Sequence, residues 1–399
     1  MLRQKLDGLP TTLKSTYDQI LTRIEEADAM NAMKLLLWLT FSERPIHIDD
    51  LALILEFDVG SQQFDVNAKL DYPEEVLKIC SSLVIKMGDE TVQFAHASIK
   101  EYFQSDKRKI GSSVRLNPCF GHYFIGQCSL AYILQRRQEI PECNASASTG
   151  IEKSLLKYAA QFWPKHILAC KQESAVMSQI INLFESQSLM YWVTAYNFQC
   201  HNNSNMAMIY RNHKNVAMLY PNYLQIAALH GLIETAKLLM VQSVSSVECT
   251  EALHAAACNG HINLVKLLCE KGNVKVASDL YCQALKGASE RGQNQVVRLL
   301  CEHGKVSDVF QKVMNVAMCD ALQSKQKESI RLLVDCGCLK IHSTTMIYAA
   351  CSGDIELVQL MLEKVSDEKK RRKLVLEAMG WQHFLVKRLL LNFIGIRSG

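Results

Sequence analysis

The chain has 399 residues, a formal net charge of +4, 49% apolar residues and 21% charged residues. That length allows two or three domains, and the composition fits a folded soluble protein. No apolar run approaches bilayer length, MKLLLWLTF at 33–41 being far too short, and MLRQKLDGLP lacks the apolar stretch of a secretory leader. No membrane partner is therefore expected, and the expected location is the cytoplasm.

The charge is divided along the chain. Residues 1–105 hold 10 Lys/Arg against 17 Asp/Glu, net −7, and the remainder holds 34 against 23, net +11. The acidic head reads as short elements. Residues 9–26 start with Pro10 and a threonine cap and are apolar at Leu13, Tyr17, Ile20, Leu21 and Ile24, which is helical spacing. A second helix is predicted over 29–41, stopped at Pro45. Ile46 and Ile48 make an extended piece, and Asp49 is expected to cap a helix running to Leu55. A loop around Gly60 leads to Pro73-Glu74-Glu75, where proline and acids suit a first helical turn. SLVIKM (82–87) and TVQFA (91–95), joined by Gly88-Asp89-Glu90, predict a hairpin, and 96–105 a closing helix.

Helices followed by a hairpin make a winged-helix plan. The stretches LPTTLKSTYDQIL, LLLWLTFSERPIHIDDLALIL and ICSSLV…VQFAHASIKEYFQS resemble the winged-helix segment of fungal NACHT–ankyrin proteins, the module named after GPI inositol-deacylase. In that family the module follows a nucleotide-binding NACHT domain and precedes recognition repeats. This chain has no GxxxxGK[ST], so no P-loop cradles phosphate and the family's NTP switch does not carry over. The resemblance thus implies either a truncated gene product or an array without its motor. A NACHT-bearing partner chain is one partner this leaves open, and self-association is the other.

Residues 106–222 are expected to form a helical connector, with a helix over 120–134, a linker near 141–150 (PECNASASTG), two helices within 151–200 and a polar, mobile stretch at 201–216. LLKYAAQFWPKHI also resembles the connecting segment of those fungal proteins. Its aromatic stripe, Tyr158, Phe162 and Trp163, is read as core and not as a cofactor box.

From 223 onward the chain repeats. ALHAAACNGHINLVKLLCEKGN (252–273) reads as a helix, a turn at Gly260, a second helix and a closing glycine. The Gly260 position recurs at Gly231, Gly292, Lys325, Gly353 and Trp381, at spacings of 29, 32, 33, 28 and 28 residues. Leu-Leu-Cys-Glu-x-Gly closes two units (267–272 and 299–304) and Leu-Leu-Val-Asp-Cys-Gly a third (332–337). Two helices at a period near 33 is the ankyrin signature, and the array resembles that family with about six degenerate repeats. Its opening threonine-proline-leucine-histidine motif survives only in part, at Leu253-His254. The fold class expected is mostly α: a winged helix over 1–105, a connector over 106–222 and an ankyrin solenoid over 223–399.

No catalytic motif is present among the 12 histidines, and no enzyme activity, cofactor or metal is expected. His96 and Ser98 would suit a base and nucleophile, but His96 is read as tying hairpin to helix. Cys258-x-x-His261 with His254 has zinc-like spacing. Register explains it better, since Cys258 matches Cys351 and Cys269 matches Cys301, slots for a small apolar filler. DNA binding is the rival reading of the winged helix. Against it, the helix entering the groove opens with two glutamates and offers only Lys78. A lipid-remodelling enzyme, suggested by the module's name, has no catalytic residues behind it.

Stacked repeats present a concave face, so a protein partner is expected there and the chain is read as an interaction scaffold. The positions after the paired alanines supply His230, Asn259, Glu290, Arg291, Ser324 and Ser352, and loop tips add Lys275, Tyr281 and Asn315. The basic run 369–373 is read as a solvated loop, with nuclear localisation the alternative. The apolar end LVKRLLLNFIGIRSG predicts self-association or cover by another chain.

Overall fold

The computed structural model describes residues 13–64, 73–80, 82–104, 108–110, 114–135, 152–186, 188–189, 192, 222–242, 244–276, 278–304, 310–337, 343–351 and 353–379. The linker expected at 141–150, the polar stretch 201–216, Ser352 and the apolar run beyond 380 lie outside them. The chain divides into two compact units, Met1–Ala217 and Met218–Gly399.

In the first unit α1 (Leu13–Thr22) leads to α2 (Ala29–Phe41), in which every residue from Ala32 to Phe41 is buried. A helix covered all round has no reason to show an amphipathic stripe, which is why MKLLLWLTF reads as uniformly apolar. Its one cation, Lys34, donates its ammonium to the Leu55 carbonyl at 2.8 Å, and burial holds its pKa down. β1 (Ile46–His47) runs into α3 (Ile48–Leu55). His47, and not Asp49, occupies the cap, its Nδ1 accepting the Asp49 amide at 3.3 Å. A small hairpin, β2 (Phe57–Asp58) and β3 (Gln63–Phe64), replaces the loop expected near Gly60. The Asp58 carboxylate organises it by accepting the Gly60 and Ser61 amides.

α4 (Glu75–Ile79) is a single turn and a half before the expected hairpin, β4 (Val84–Lys86) and β5 (Thr91–Phe94). β1 adds to it antiparallel, giving a three-stranded sheet of order β1-β5-β4 with Ile46 opposite Val92 and Val84 opposite Phe94. In α5 (Ala97–Gln104), Ser98 donates its amide to His96 Nδ1 at 3.2 Å, and its hydroxyl lies 2.6 Å from the same atom and 2.7 Å from the Tyr17 hydroxyl. His96 thus stands at the helix entrance in a capping arrangement. A further hairpin, β6 (Arg108–Ile110) and β7 (Val114–Leu116), opens the stretch expected to be a helical connector.

α6 (Pro118–Gln135), α7 (Glu152–Cys170), a 3-10 turn (Glu173–Val176) and α8 (Met177–Glu185) follow. They do not stand apart from the winged helix. α6 packs along α7 and against α2, and α3 touches α7. Trp38 and Tyr158 rings lie 5.0 Å apart, the Glu43 amide donates to the Tyr158 hydroxyl at 3.0 Å, and Arg44 donates to the Ser154 carbonyl at 2.9 Å. Two members of the aromatic stripe are core, Tyr158 and Trp163 being fully buried while Phe162 is half-buried; Trp192, also buried, donates its indole N–H to the Ala160 carbonyl at 2.8 Å. That much aromatic surface contributes most of its stabilisation only when removed from water.

In the second unit the helices come in pairs: α9 (Tyr223–His230) with α10 (Ile233–Val241), α11 (Ser246–Cys258) with α12 (Ile262–Lys271), α13 (Asp279–Glu290) with α14 (Asn294–Gly304), α15 (Phe310–Gln323) with α16 (Lys327–Asp335), and α17 (Ser343–Cys351) with α18 (Ile355–Glu363). α19 (Glu368–Met379) is the first helix of a sixth unit. Each first helix packs on the next first helix, and each second on the next second, from end to end. The stack is a one-dimensional row.

The turn inside each pair is the position found by register. Gly231, Gly260, Gly292, Lys325 and Gly353 all have positive φ, between +58° and +76°. The glycines answer a second need as well. A Cβ on Gly260 would lie 2.3 Å from Gln293 Oε1, and one on Gly292 2.4 Å from Gln326 Oε1. Gln293 and Gln326 each follow the next unit's turn residue, so one repeat's turn is the floor for the next one's side chain. His261 makes the same step over Gly231, and its Nε2 lies 3.1 Å from the Leu229 carbonyl. Ala256, Ala257, Ala288, Ala321 and Ala349 are fully buried between first helices, where small side chains let backbones approach.

Candidate partner-binding face

The first-helix row presents one solvent ridge per helix, because its opposite faces are taken by the neighbours and by the second-helix row. Four of the sequence-derived residues reach solvent on it or at its loops: Asn259, Lys275, Glu290 and Arg291. Asn259 is tied down by a bond from its amide nitrogen to the Ala255 carbonyl, and Arg291 reaches back to the Cys258 carbonyl at 3.2 Å. His230, Asn315 and Ser324 are half-buried, and Asn315 lies inside α15 and not in a loop.

Tyr281 corrects its sequence reading outright. It sits in the first turn of α13, is 0% exposed, and donates its hydroxyl to the Leu300 carbonyl at 2.8 Å with His303 Nδ1 at 3.2 Å. A large ring following a Ser278 cap points inward to close the pair α13–α14, so it faces no partner. The cysteine slots divide too: Cys258 and Cys301 are buried fillers, Cys269 is half-buried and Cys351 is exposed.

Burial sets the electrostatics of the row's N-terminal end. Desolvation, with His261 beside it, pushes the His230 imidazole down to about 3. Desolvation likewise depresses His254, helped by Arg291, and His261, opposed by its bond to the Leu229 carbonyl. All three are neutral near pH 7. His254, Cys258 and His261 are each held by packing or by a backbone contact, and no group of three or more metal-ligating side chains forms among the described residues.

Residues that the register did not single out complete the face. Five places before the turn the repeats carry Ile226, Ala255, Gly287, Asp320 and Tyr348, and Leu376 follows Tyr348 by 28 residues. The first two are buried, but Tyr348 is 45% and Leu376 61% exposed. Val316, on the same ridge of α15, is 54% exposed. Reading one register column down the array names Tyr348 and Leu376 but not their exposure. The charge also changes sign along the row. α9, α11 and α13 carry Glu248, Glu251, Asp279 and Glu290 against Lys286, net −3, while α15, α17 and α19 are net +3. The basic run 369–373 lies on α19, not on a loop.

The first unit offers a different kind of surface, a groove of about 630 Å³ bordered by Leu39, Arg44, Pro45, Ile85, Phe94 and Lys100. Beside it lies a buried polar chain. The Tyr158 hydroxyl is 2.8 Å from His166 Nε2, and His166 Nδ1 is 2.9 Å from His122 Nδ1. Desolvation, with His122 and Lys165 nearby, pushes His166 down to about 3. A neutral His166 carries a single ring proton to share between these two contacts. Asp50, at the start of α3, is fully buried, and neither oxygen has a hydrogen bond of ordinary geometry. Burial raises its pKa to about 6, opposed by Ser154, Arg44, His47 and the Leu155 amide.

Comparison with known proteins agrees with both halves of this geometry. Residues 21–115 match the family described as GPI inositol-deacylase, winged helix domain. Residues 224–312 match ankyrin repeats (3 copies). The chain therefore carries a winged-helix domain of that type and ankyrin repeats, and the repeats point to protein–protein interaction. A relative is the azaphilone pigments biosynthesis cluster protein L of Monascus ruber, 25% identical over 291 residues that cover 67% of this chain. The match spans 60% of that protein's length. No helix among the described residues is long and apolar enough to cross a membrane.

Proposed function

We propose that the chain is a non-enzymatic interaction scaffold of the fungal NLR-like type, acting in the cytoplasm and binding a protein partner along the first-helix row of its ankyrin array. The observation that carries this reading is the uninterrupted row itself. Helices stacked through shared left-handed turns hold their ridges rigid before any partner arrives, so little ordering entropy opposes binding. A NACHT-bearing partner chain and a second copy of this chain are both partners that this reading allows. The relative's name associates that protein with a biosynthesis cluster, and a scaffold serving such a cluster has the same physical requirements.

Tagged full-length chain and the variant Glu290→Lys/Arg291→Glu are used to capture proteins from a lysate of the producing cells. At least one captured protein is expected to depend on these two residues and to be indifferent to Lys266→Glu/Arg298→Glu on the second-helix row. Equal recovery with both variants overturns the assignment of the face. DNA reading by the winged helix fits less well. Lys78 lies 3.5 Å from Glu75, and Lys86 on the hairpin lies 2.8 Å from Glu90 and 3.6 Å from Glu74, so both cations stand beside carboxylates that would repel phosphate.

A further inference from the structure

We infer that the C-terminal half of the first-helix row is built for an acidic amphipathic segment of a partner protein, with Tyr348 and Leu376 taking its apolar residues and α19 its carboxylates. This rests on the interaction reading above and adds the chemistry of what is bound. The apolar half of the argument is register. Scattered exposed apolar side chains need no explanation, but Tyr348 and Leu376 occupy equivalent positions on helices packed side by side, and Val316 lies on the ridge beside them. In the first two repeats the same column is buried Ile226 and Ala255.

The charged half is an electrostatic conflict left unresolved within the described residues. α19 begins with Glu368 and then five cations, at the helix end where the backbone dipole already presents positive charge. Asp367 compensates in part, its carboxylate accepting the Lys369 and Lys370 amides. Arg371 is spent on the Val365 carbonyl, with bonds of 3.0 and 2.6 Å, which fixes the turn into α19. Arg372 and Lys373 have only loose contacts one turn along the helix, 3.8 Å to Glu368 and 3.9 Å to Glu377. Lys369 and Lys370 have no carboxylate within ion-pair distance among the described residues. Like charges one turn apart repel, so an anionic segment laid on this face relieves the repulsion and satisfies the dipole together. Nucleic acid would meet the charge but not the tyrosine–leucine pair, and a neutral apolar helix would meet the pair but not the charge.

The test uses the full chain and a fluorescein-labelled 16-residue peptide with leucines at i, i+3, i+4 and i+7 and glutamates elsewhere. The controls are the same peptide with lysine for glutamate, the same with serine for leucine, and a 16-base-pair duplex. Fluorescence anisotropy is expected to show the glutamate–leucine peptide binding at least tenfold tighter than either control peptide. Tyr348→Ser/Leu376→Ser and, separately, Lys369→Glu/Lys370→Glu are each expected to weaken it tenfold or more, while Glu290→Lys leaves it unchanged. If the serine pair lowers helicity, the charge-reversal pair in the first turn of α19 carries the test. The inference is overturned by no saturable binding of the acidic peptide, by equal binding of the lysine peptide, by indifference to both variants, or by tighter binding of the duplex. Lysate partners that still depend on Glu290 and Arg291 while the peptide fails would leave the interaction reading standing and remove this one.

Discussion

The winged-helix unit and the ankyrin unit are both helical, but they hold together differently. In the array each helix touches its own partner and the neighbouring repeat, so contacts recur at about one repeat's separation, as in His261 over Leu229 or Ser329 to Asn294. In the first unit the decisive contacts cross most of the unit: Tyr17 with Ser98, the Glu43 amide with Tyr158, Lys165 with Glu43. A structure made of short-range steps loses stability locally. One closed by long-range contacts is expected to lose it all at once.

The largest expected effect sets these two behaviours against each other. Trp163→Ala removes a fully buried ring that packs against Trp192, for a cost of about 3–5 kcal/mol. Hydrogen exchange followed by mass spectrometry is expected to show faster exchange throughout 13–192. Leu300→Ala, costing about 2–5 kcal/mol in α14, is expected to speed exchange in the second, third and fourth pairs and to leave the first unit unchanged. Uniform loss of protection across the array would break the contrast.

Gly260→Ala comes next. The turn holds residue 260 in the left-handed region, where a Cβ costs about 1–2 kcal/mol, and Gln293 must move from 2.3 Å away. A loss of about 2 kcal/mol is expected in urea unfolding of the array, and Gln293→Ala in the same chain should recover part of it.

Acid sharpens the comparison further. Folding holds His230, His254 and His261 neutral, so below pH 6.5 the unfolded chain binds protons that the array refuses. This stability is complete above pH 6.5 and is lost as the pH falls towards about 3. Each such histidine has a limiting slope of about 1.4 kcal/mol per pH unit, reduced where solvent reaches the ring. His122 and His166 act in the same sense in the first unit. Asp50 acts in the opposite one. Its raised pKa makes the fold prefer the protonated acid, so its penalty is absent below about pH 4 and grows as the pH rises through about 6. Between pH 6.5 and 5.5 the urea midpoint of the array is therefore expected to fall by more than that of the first unit, both read by segment-resolved exchange. Asp50→Asn should make the two fall more nearly in parallel.

The smallest effect is a gain. Lys325 occupies the left-handed turn position that four other described repeats give to glycine. Lys325→Gly exchanges side-chain strain for backbone entropy, and a net gain of about 0.5 kcal/mol in the array's urea stability is expected.

Some of this was legible in the amino acids. The turn register of Gly231, Gly260, Gly292, Lys325 and Gly353, the β4–β5 hairpin and the inward aromatic stripe of α7 could each be read locally. Each depends on residues a few places apart, whose backbone angles or shared face follow from spacing alone. Tyr281 was misplaced because a tyrosine after a cap can point either way, and the Leu300 carbonyl that receives it comes from the paired helix. Tyr348 and Leu376 were passed over because register names a position, whereas exposure depends on how large its neighbours are.

By itself, then, the sequence determined a repeating helical row and a winged head, because local periodicity and turn chemistry act over a few residues. Only the tertiary structure decided which side chains that row shows to solvent, that α6 and α7 close the winged helix's own core, and that five cations share one helix. Those outcomes depend on partners arriving from one repeat, or more than a hundred residues, away, and spacing along the chain does not encode which surfaces they cover.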